Sequence, residues 1–144
     1  MTEFYRHTQI GYAILVPLVI VLLVLFALGV INGFERHINL GLGAILIVAI
    51  LFSALTVTVT QDAIRLYFGP GLIRKKIPLK DIESCRIVKN SWLYAWGIRI
   101  TPHGLLYNVS GLSAVEIVMK DGKKYRIGTD VPEELERAIK QFIG

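Results

Sequence analysis

The sequence of 144 residues is poor in charge and has a single cysteine. Charged side chains make up 19% of it, below the roughly 25% that is usual in a soluble domain. One cysteine excludes an intrachain disulfide framework and any metal site built from several cysteines of one chain. The hydrophobic share of 53% excludes a disordered chain and argues against an ordinary cytosolic domain.

Two long segments near the N-terminus contain no formally charged side chain. They run from Thr8 to Phe34 and from Ile38 to Gln61, and their apolar centres carry no polar stripe at the helical period. A helix needs roughly 20 apolar residues to cross the hydrocarbon core of a bilayer. The sequence therefore predicts two membrane-spanning helices, over about residues 9–32 and 38–56, joined by a polar turn at Glu35.

The positive charge of the chain lies after these segments. From Asp62 onward, 14 basic and nine acidic side chains account for the whole net charge of +5. Basic residues next to a membrane segment favour the cytoplasmic side, so we expect an integral cell membrane protein with two spans and both termini in the cytoplasm. The middle of each segment has no ionisable side chain, which argues against ion or proton transport by these helices alone.

The second part of the chain alternates polar and apolar residues in short runs, the pattern of half-buried strands. The runs cover residues 56–60, 63–68, 72–77, 84–89, 96–101, 105–109, 114–119 and 123–127. Turn sequences such as Gly69-Pro70-Gly71 and Lys120-Asp121-Gly122 separate them. An amphipathic helix follows, with Leu135 and Ile139 on its apolar face. We predict an all-β sandwich or open barrel of about seven strands, capped by this C-terminal helix.

Four stretches carry a resemblance to a known family: Phe68–Ile82, Trp96–Arg99, Tyr107–Gly111 and Arg126–Pro132. They resemble prokaryotic pleckstrin-homology-like (PH-like) domain proteins with an N-terminal two-helix membrane hairpin. The resemblance implies two transmembrane helices in residues 1–55 and a cytoplasmic PH-like domain in residues 56–144. The loop that is basic in phosphoinositide-binding PH domains corresponds to Gln61-Asp62, which is short and acidic and departs from that pattern.

A basic cluster close to the second apolar segment is a candidate for lipid contact. It consists of Arg74, Lys75, Lys76 and Lys80. Each basic side chain near anionic lipid contributes about 1 kcal/mol to binding. A strand would send Arg74 and Lys76 to one face and Lys75 to the other, so a solvated strand face that only enforces topology is the alternative interpretation.

Three aromatic residues alternate between Asn90 and Gly97. In an extended backbone, Trp92, Tyr94 and Trp96 would point their rings to the same side, where they could enter the membrane interface or contact a partner. We expect Trp96 to fill the core of the sandwich. The pattern leaves Trp92 and Tyr94 open between core and surface.

Recognisable patterns of catalytic or metal-binding residues are missing from the sequence. His7, His37 and His103 are scattered, and Cys85 lies in an alternating strand. We therefore expect no enzyme activity, no catalytic residues, no cofactor, no metal and no nucleic-acid partner. The sequence favours a membrane-anchored adaptor or accessory subunit that contacts the lipid bilayer and a protein partner or membrane subunit, with a homo-oligomer left open. The alternative is a sensor that binds anionic lipid headgroups through basic faces.

Overall fold

A computed structural model describes residues 3–143 of the chain. Its strands are β1 (Glu3–Ile10), β2 (Ala54–Thr60), β3 (Ala63–Phe68), β4 (Ile73–Pro78), β5 (Ile82–Lys89), β6 (Gly97–Thr101), β7 (Gly104–Asn108), β8 (Ser113–Met119) and β9 (Lys124–Gly128). Its helices are α1 (Tyr12–Asn32), α2 (Arg36–Leu51) and α3 (Pro132–Ile143), and short 3-10 turns cover Leu79–Asp81 and Trp92–Tyr94.

The strands form two sheets that enclose one apolar core. Sheet A has the order β1-β2-β3-β4 with antiparallel neighbours. Sheet B has the order β5-β8-β9-β7-β6, in which β7 and β9 are parallel and the other neighbours antiparallel. Leu66 and Phe68 of sheet A and Ile117 and Ile127 of sheet B are buried in the core. The prediction of a β-rich domain with alternating strands is confirmed.

Helix α3 closes the core as its amphipathic pattern predicts. Leu135 and Ile139 are completely buried, whereas Glu133 and Glu134 in the first turn are exposed. The helix contacts β5 and β8 of sheet B and also β1 of sheet A. It therefore holds the two sheets together through one buried stripe.

Strand β1 is an element that the sequence analysis did not predict. It pairs with β2 over nearly its whole length, with Arg6 opposite Thr58 and Thr8 opposite Thr56. Two of its inward side chains, His7 and Gln9, are polar. The His7 ring contacts the Asp130 carboxylate at 2.6 Å, and the Gln9 amide nitrogen donates to the Ser110 carbonyl. Sheet A thus combines strands from both sides of the predicted boundary at residue 55.

The two apolar helices differ in length from the prediction and from each other. Helix α1 has 21 residues. Among the helices in residues 3–143, it is the one that is long and apolar enough to cross a membrane. Helix α2 has 16 residues and ends at Leu51 instead of near residue 56, because β2 already begins at Ala54. The first helix begins at Tyr12 instead of near residue 9, because β1 extends to Ile10.

The two helices are joined to sheet A almost without linkers. Gly11 alone separates β1 from α1, and two residues separate α2 from β2. The Gly11 N–H donates to the Ser53 carbonyl at 2.8 Å, so both connections lie side by side. At the β3–β4 turn, Gly69 has a positive φ of 53°, and a Cβ there would clash with the Ile50 carbonyl. The end of the helix pair is therefore packed directly on the sheet.

A buried ion pair lies within sheet B. The Arg126 guanidinium donates to the Glu116 carboxylate from Nε at 3.1 Å and Nη2 at 2.9 Å, and to the Asn90 amide oxygen from Nη1 at 3.1 Å. Burial acts to raise the pKa of Glu116, but Arg126 and the neighbouring Arg86 hold that pKa below its usual value. Glu116 and Arg126 are register partners in the β8–β9 hairpin, so they lie directly opposite each other on neighbouring strands.

Candidate membrane and partner surfaces

The predicted basic cluster is divided between different surfaces. Arg74 and Lys76 lie on the outer face of β4, and the Lys75 ammonium points inward, 5.1 Å from the centre of the Tyr125 ring. This division follows the strand alternation that the sequence analysis considered. Lys80 is exposed on the 3-10 turn after β4. Lys75 therefore points away from the face that Arg74 and Lys76 share, although the three line one depression at the edge of sheet A, and Lys80 lines a second depression with Lys76.

The outer face of sheet A instead combines basic residues from three strands, and we call Arg6, Arg65, Arg74 and Lys76 the basic face. Arg6, Thr58, Arg65 and Lys76 occupy successive partner positions across β1, β2, β3 and β4. The sequence analysis did not assign Arg6 and Arg65 to this surface. Their grouping depends on the register of β1, which was not predicted.

One acidic side chain lies at the end of the basic face. The Asp62 carboxylate is 3.7 Å from Lys76 Nζ and 3.9 Å from Arg65 Nη2. The hydrogen bond from the Thr60 hydroxyl, with the positive charges of Lys76 and Arg65, lowers the pKa of Asp62. Arg6 has its own acidic neighbour, since its Nη1 lies 3.6 Å from the Glu3 carboxylate. The face keeps a net positive charge with four basic and two acidic side chains.

The aromatic residues do not share one side, because their segment is not extended. Trp92–Tyr94 forms a 3-10 turn in which the Ser91 hydroxyl accepts from the Leu93 N–H, and Ala95 then has a positive φ of 56°. The condition of an extended backbone is therefore not met in this segment. Trp92 is 70% exposed, and the half-buried Tyr94 ring meets the His103 ring edge-on.

Trp96 is not in the core, so the prediction that it fills the core is wrong. Its ring is half-buried at the surface, and its Nε1 donates to the Gly111 carbonyl at 2.8 Å. The turn at Ala95 directs the chain toward the helix pair instead of into the sandwich. Trp96 thereby becomes one wall of a cleft that periodicity alone could not have shown.

This cleft, which we call the junction cleft, lies where the helix pair meets sheet B. Its volume is about 330 Å³, and it is lined by Ile14 and Leu18 of α1, Val48 and Phe52 at the end of α2, and residues 95–99. The lining is apolar except at Arg99, whose Nε donates to the Trp96 carbonyl at 3.1 Å. Val48 and Ile98 are partly exposed, so the cleft opens toward the outer surface of the helix pair.

A second depression, which we call the edge groove, crosses β9, β7 and the edge strand β6 at one end of sheet B. It has a volume of about 510 Å³ and is lined by Ile100, Gly104, Leu105, Lys123, Lys124 and Tyr125. Ile100 on the edge strand β6 is 90% exposed. An apolar floor with two lysines at its rim suits an extended segment that carries both apolar and acidic side chains.

Candidate metal ligands are not grouped in the part of the chain that the structure describes. Within residues 3–143, no three His, Cys, Asp or Glu side chains are close enough to hold a metal ion. Cys85 is buried, and its burial raises the pKa of the thiol, which keeps it protonated and poorly nucleophilic.

Comparison with models of known protein families gave no match, and comparison with curated protein sequences gave none either. The surfaces of the chain are therefore the basis for its proposed function.

Proposed function

We propose that this protein is a membrane-anchored, non-enzymatic PH-like module that acts as a protein-interaction adaptor or accessory subunit at the cytoplasmic membrane surface. Two packed antiparallel-rich sheets with a C-terminal helix support the PH-like assignment. The observation that carries the adaptor role is the edge groove, where β6 combines an unpaired strand edge with the exposed Ile100. Edge strands with accessible apolar side chains accept an extended segment by strand addition.

Two spans are part of this proposal. At 1.5 Å per residue, α1 is about 31 Å long and α2 about 24 Å long, against a hydrocarbon core of about 30 Å. Leu40, Ile47 and Ile50 of α2 are more than half exposed, and water would be an unfavourable environment for them. Local thinning of the bilayer accommodates a short helix at modest cost. The three-residue connection between α1 and α2 then lies on the far side of the membrane.

The charge of the β domain supports a cytoplasmic position. Strand β1 leads into α1 and α2 leads into β2 at the same end of the helix pair, which supports a β domain on one side of the bilayer. Most basic residues of the chain belong to this side. The positive-inside rule associates an excess of lysine and arginine with the cytoplasmic side of a membrane. The short connections between the helices and sheet A hold the β domain close to the membrane. A neighbouring membrane protein could therefore reach the edge groove.

Photo-crosslinking in cells tests the adaptor role directly. A photoreactive amino acid at Ile100 of the full chain should give one discrete protein adduct, and the same probe at the exposed Glu133 of α3 should not. Charge reversal by Lys123→Glu together with Lys124→Glu should remove the Ile100 adduct, because the partner is expected to carry acidic residues. Identical adduct patterns at Ile100 and Glu133, or none at either, would contradict the proposal.

The basic face favours a second function, contact with anionic lipid headgroups. It lies on the sheet from which both helices emerge, within reach of a negatively charged surface. In full-chain protein, chemical acetylation of Lys76 should be slower in phosphatidylglycerol vesicles than in phosphatidylcholine vesicles, and high salt should abolish the difference. Lys120 at the β8–β9 turn is the internal control. Equal rates for Lys76 in both lipids at low salt would refute headgroup contact by this face.

A further inference from the structure

The junction cleft has the features of a site for a single lipid molecule. Ile14, Leu18, Val48 and Phe52 form its apolar wall, and this wall is continuous with the outer surface of the helix pair. Arg99 is the one charged residue of the lining. A long apolar wall next to one cation matches the acyl chain and the phosphate of a phospholipid.

The position of Arg99 suits a phosphate at the mouth of the cleft. Its Nε donates to the Trp96 carbonyl at 3.1 Å, and among the described residues its terminal nitrogens have no hydrogen-bond acceptor. Among the described residues, no carboxylate lies within 4.0 Å of this guanidinium, which is also true of Arg36, Arg74 and Arg137, but of these four arginines Arg99 alone lines the junction cleft. Arginine forms strong charge-assisted hydrogen bonds to phosphate oxygens, and an anionic ligand would provide the missing partner.

The height of the cleft also fits the membrane interface. Ile14 and Leu18 belong to the first two turns of α1, and Val48 to the last turn of α2, so the cleft covers the ends of the helices nearest the β domain. In a membrane these turns are at the boundary between headgroups and acyl chains. The exposed Trp92 in the adjoining 3-10 turn is the residue type enriched at that level.

We propose that the junction cleft binds one anionic glycerophospholipid, with its phosphate on Arg99 and an acyl chain along α1 and α2. This inference rests on the proposed membrane anchoring and adds a selective lipid site that is separate from the basic face. One basic residue near an anionic headgroup contributes about 1 kcal/mol, which corresponds to roughly a fivefold preference for anionic over zwitterionic lipid.

Fluorescence quenching by brominated lipids tests the site in the full chain. The protein has two tryptophans, so Trp92→Phe leaves Trp96, a wall of the cleft, as the sole emitter. This protein is reconstituted in phosphatidylcholine vesicles that contain a small fraction of brominated phosphatidylglycerol or brominated phosphatidylcholine. We expect phosphatidylglycerol to compete for the site about fivefold better, and Arg99→Gln to reduce this preference to about one.

Two matched controls separate a cleft from general surface attraction. Arg137→Gln on α3 removes an exposed charge of the same type outside both the cleft and the basic face, and it should leave the preference at about fivefold. Val48→Phe narrows the cleft and should reduce quenching by either lipid, whereas Val24→Phe, on an exposed part of α1, should not. Soluble glycerol phosphate should not displace the brominated lipid, because it lacks the acyl chain.

The outcomes distinguish this inference from the membrane anchoring on which it rests. Equal quenching by the two brominated lipids, or equal losses for Arg99→Gln and Arg137→Gln, would overturn the lipid site and leave the anchoring intact. Displacement by glycerol phosphate would overturn the acyl-chain contact. Absence of quenching by any brominated lipid would place Trp96 away from the bilayer and overturn both proposals.

Discussion

Glu116→Gln in β8 is expected to destabilise the β domain strongly, because it leaves a buried cation without a counter-charge. The side chains of Glu116 and Arg126 are 1% and 6% exposed. Loss of one partner of a buried ion pair costs about 3–5 kcal/mol. Glutamine keeps one acceptor oxygen, and Arg126 keeps its bond to Asn90, so we expect a value near the lower limit, about 3 kcal/mol.

Glu136→Gln on α3 is the matched control. Glu136 lies 3.5 Å from Lys140, whose side chain is 55% exposed, so this loss should cost less than about 1 kcal/mol. The measurement is urea unfolding of the full chain in detergent micelles at pH 7, followed by tryptophan fluorescence. The full chain is required, because a fragment that begins at Asp62 lacks β1 and β2. Equal free energies of unfolding for the two variants would refute the role assigned to the buried pair.

The difference in unfolding free energy between the wild type and Glu116→Gln should decrease at low pH. The folded pKa of Glu116 is lowered, so its carboxylate stabilises the fold above its unfolded pKa of about 4.3. This contribution is lost as the pH falls through the folded value. The stability gap between the wild type and Glu116→Gln should therefore be constant above about pH 5 and shrink below about pH 4. A gap that stays unchanged down to pH 3 would contradict the lowered pKa.

Two further substitutions test the packing of α3 and of the helix junction by the same urea assay. Leu135→Ala should cost about 2–5 kcal/mol because the side chain is completely buried, and Glu134→Ala, on the exposed face, less than about 0.5 kcal/mol. Gly69→Ala should destabilise by more than about 1 kcal/mol, since its Cβ meets the Ile50 carbonyl, whereas Gly43→Ala in α2 has open space and should not. Equal small effects within either pair would show that the residue concerned is not packed as described.

The strands after residue 60 and the last helix were predictable because their signals are local. The predicted strand over residues 63–68 matches β3, and the runs around Lys120-Asp121-Gly122 match β8 and β9 to within one residue. Each hairpin combines alternation with a turn sequence, so the pattern and the turn agree. The same hairpin places Glu116 opposite Arg126, which makes the buried ion pair a feature that the turn position could have indicated.

Strand β1 and the two surfaces around the helices were not predictable from local signals. Inward His7 and Gln9 hide the alternation of β1, because the partners of the His7 ring and the Gln9 amide nitrogen, Asp130 and Ser110, come more than 100 residues later. Without β1, the row that joins Arg6 to Arg65 could not be constructed. The junction cleft depends on the positive φ of Ala95. Alanine rarely adopts this backbone conformation, so the sequence did not indicate the turn.

Cysteine accessibility at the two ends of the helix pair tests most directly the claim that a membrane-spanning pair holds the β domain in the cytoplasm. Cys85 is buried and is first replaced by Cys85→Ala, and single sites are then introduced as Glu35→Cys in the helix connection or Glu133→Cys in α3. The account predicts that a membrane-impermeant maleimide labels the Glu35→Cys protein in intact cells, and the Glu133→Cys protein only after the membrane is opened. Labelling of Glu133→Cys in intact cells, or protection of Glu35→Cys until the membrane is opened, would contradict it.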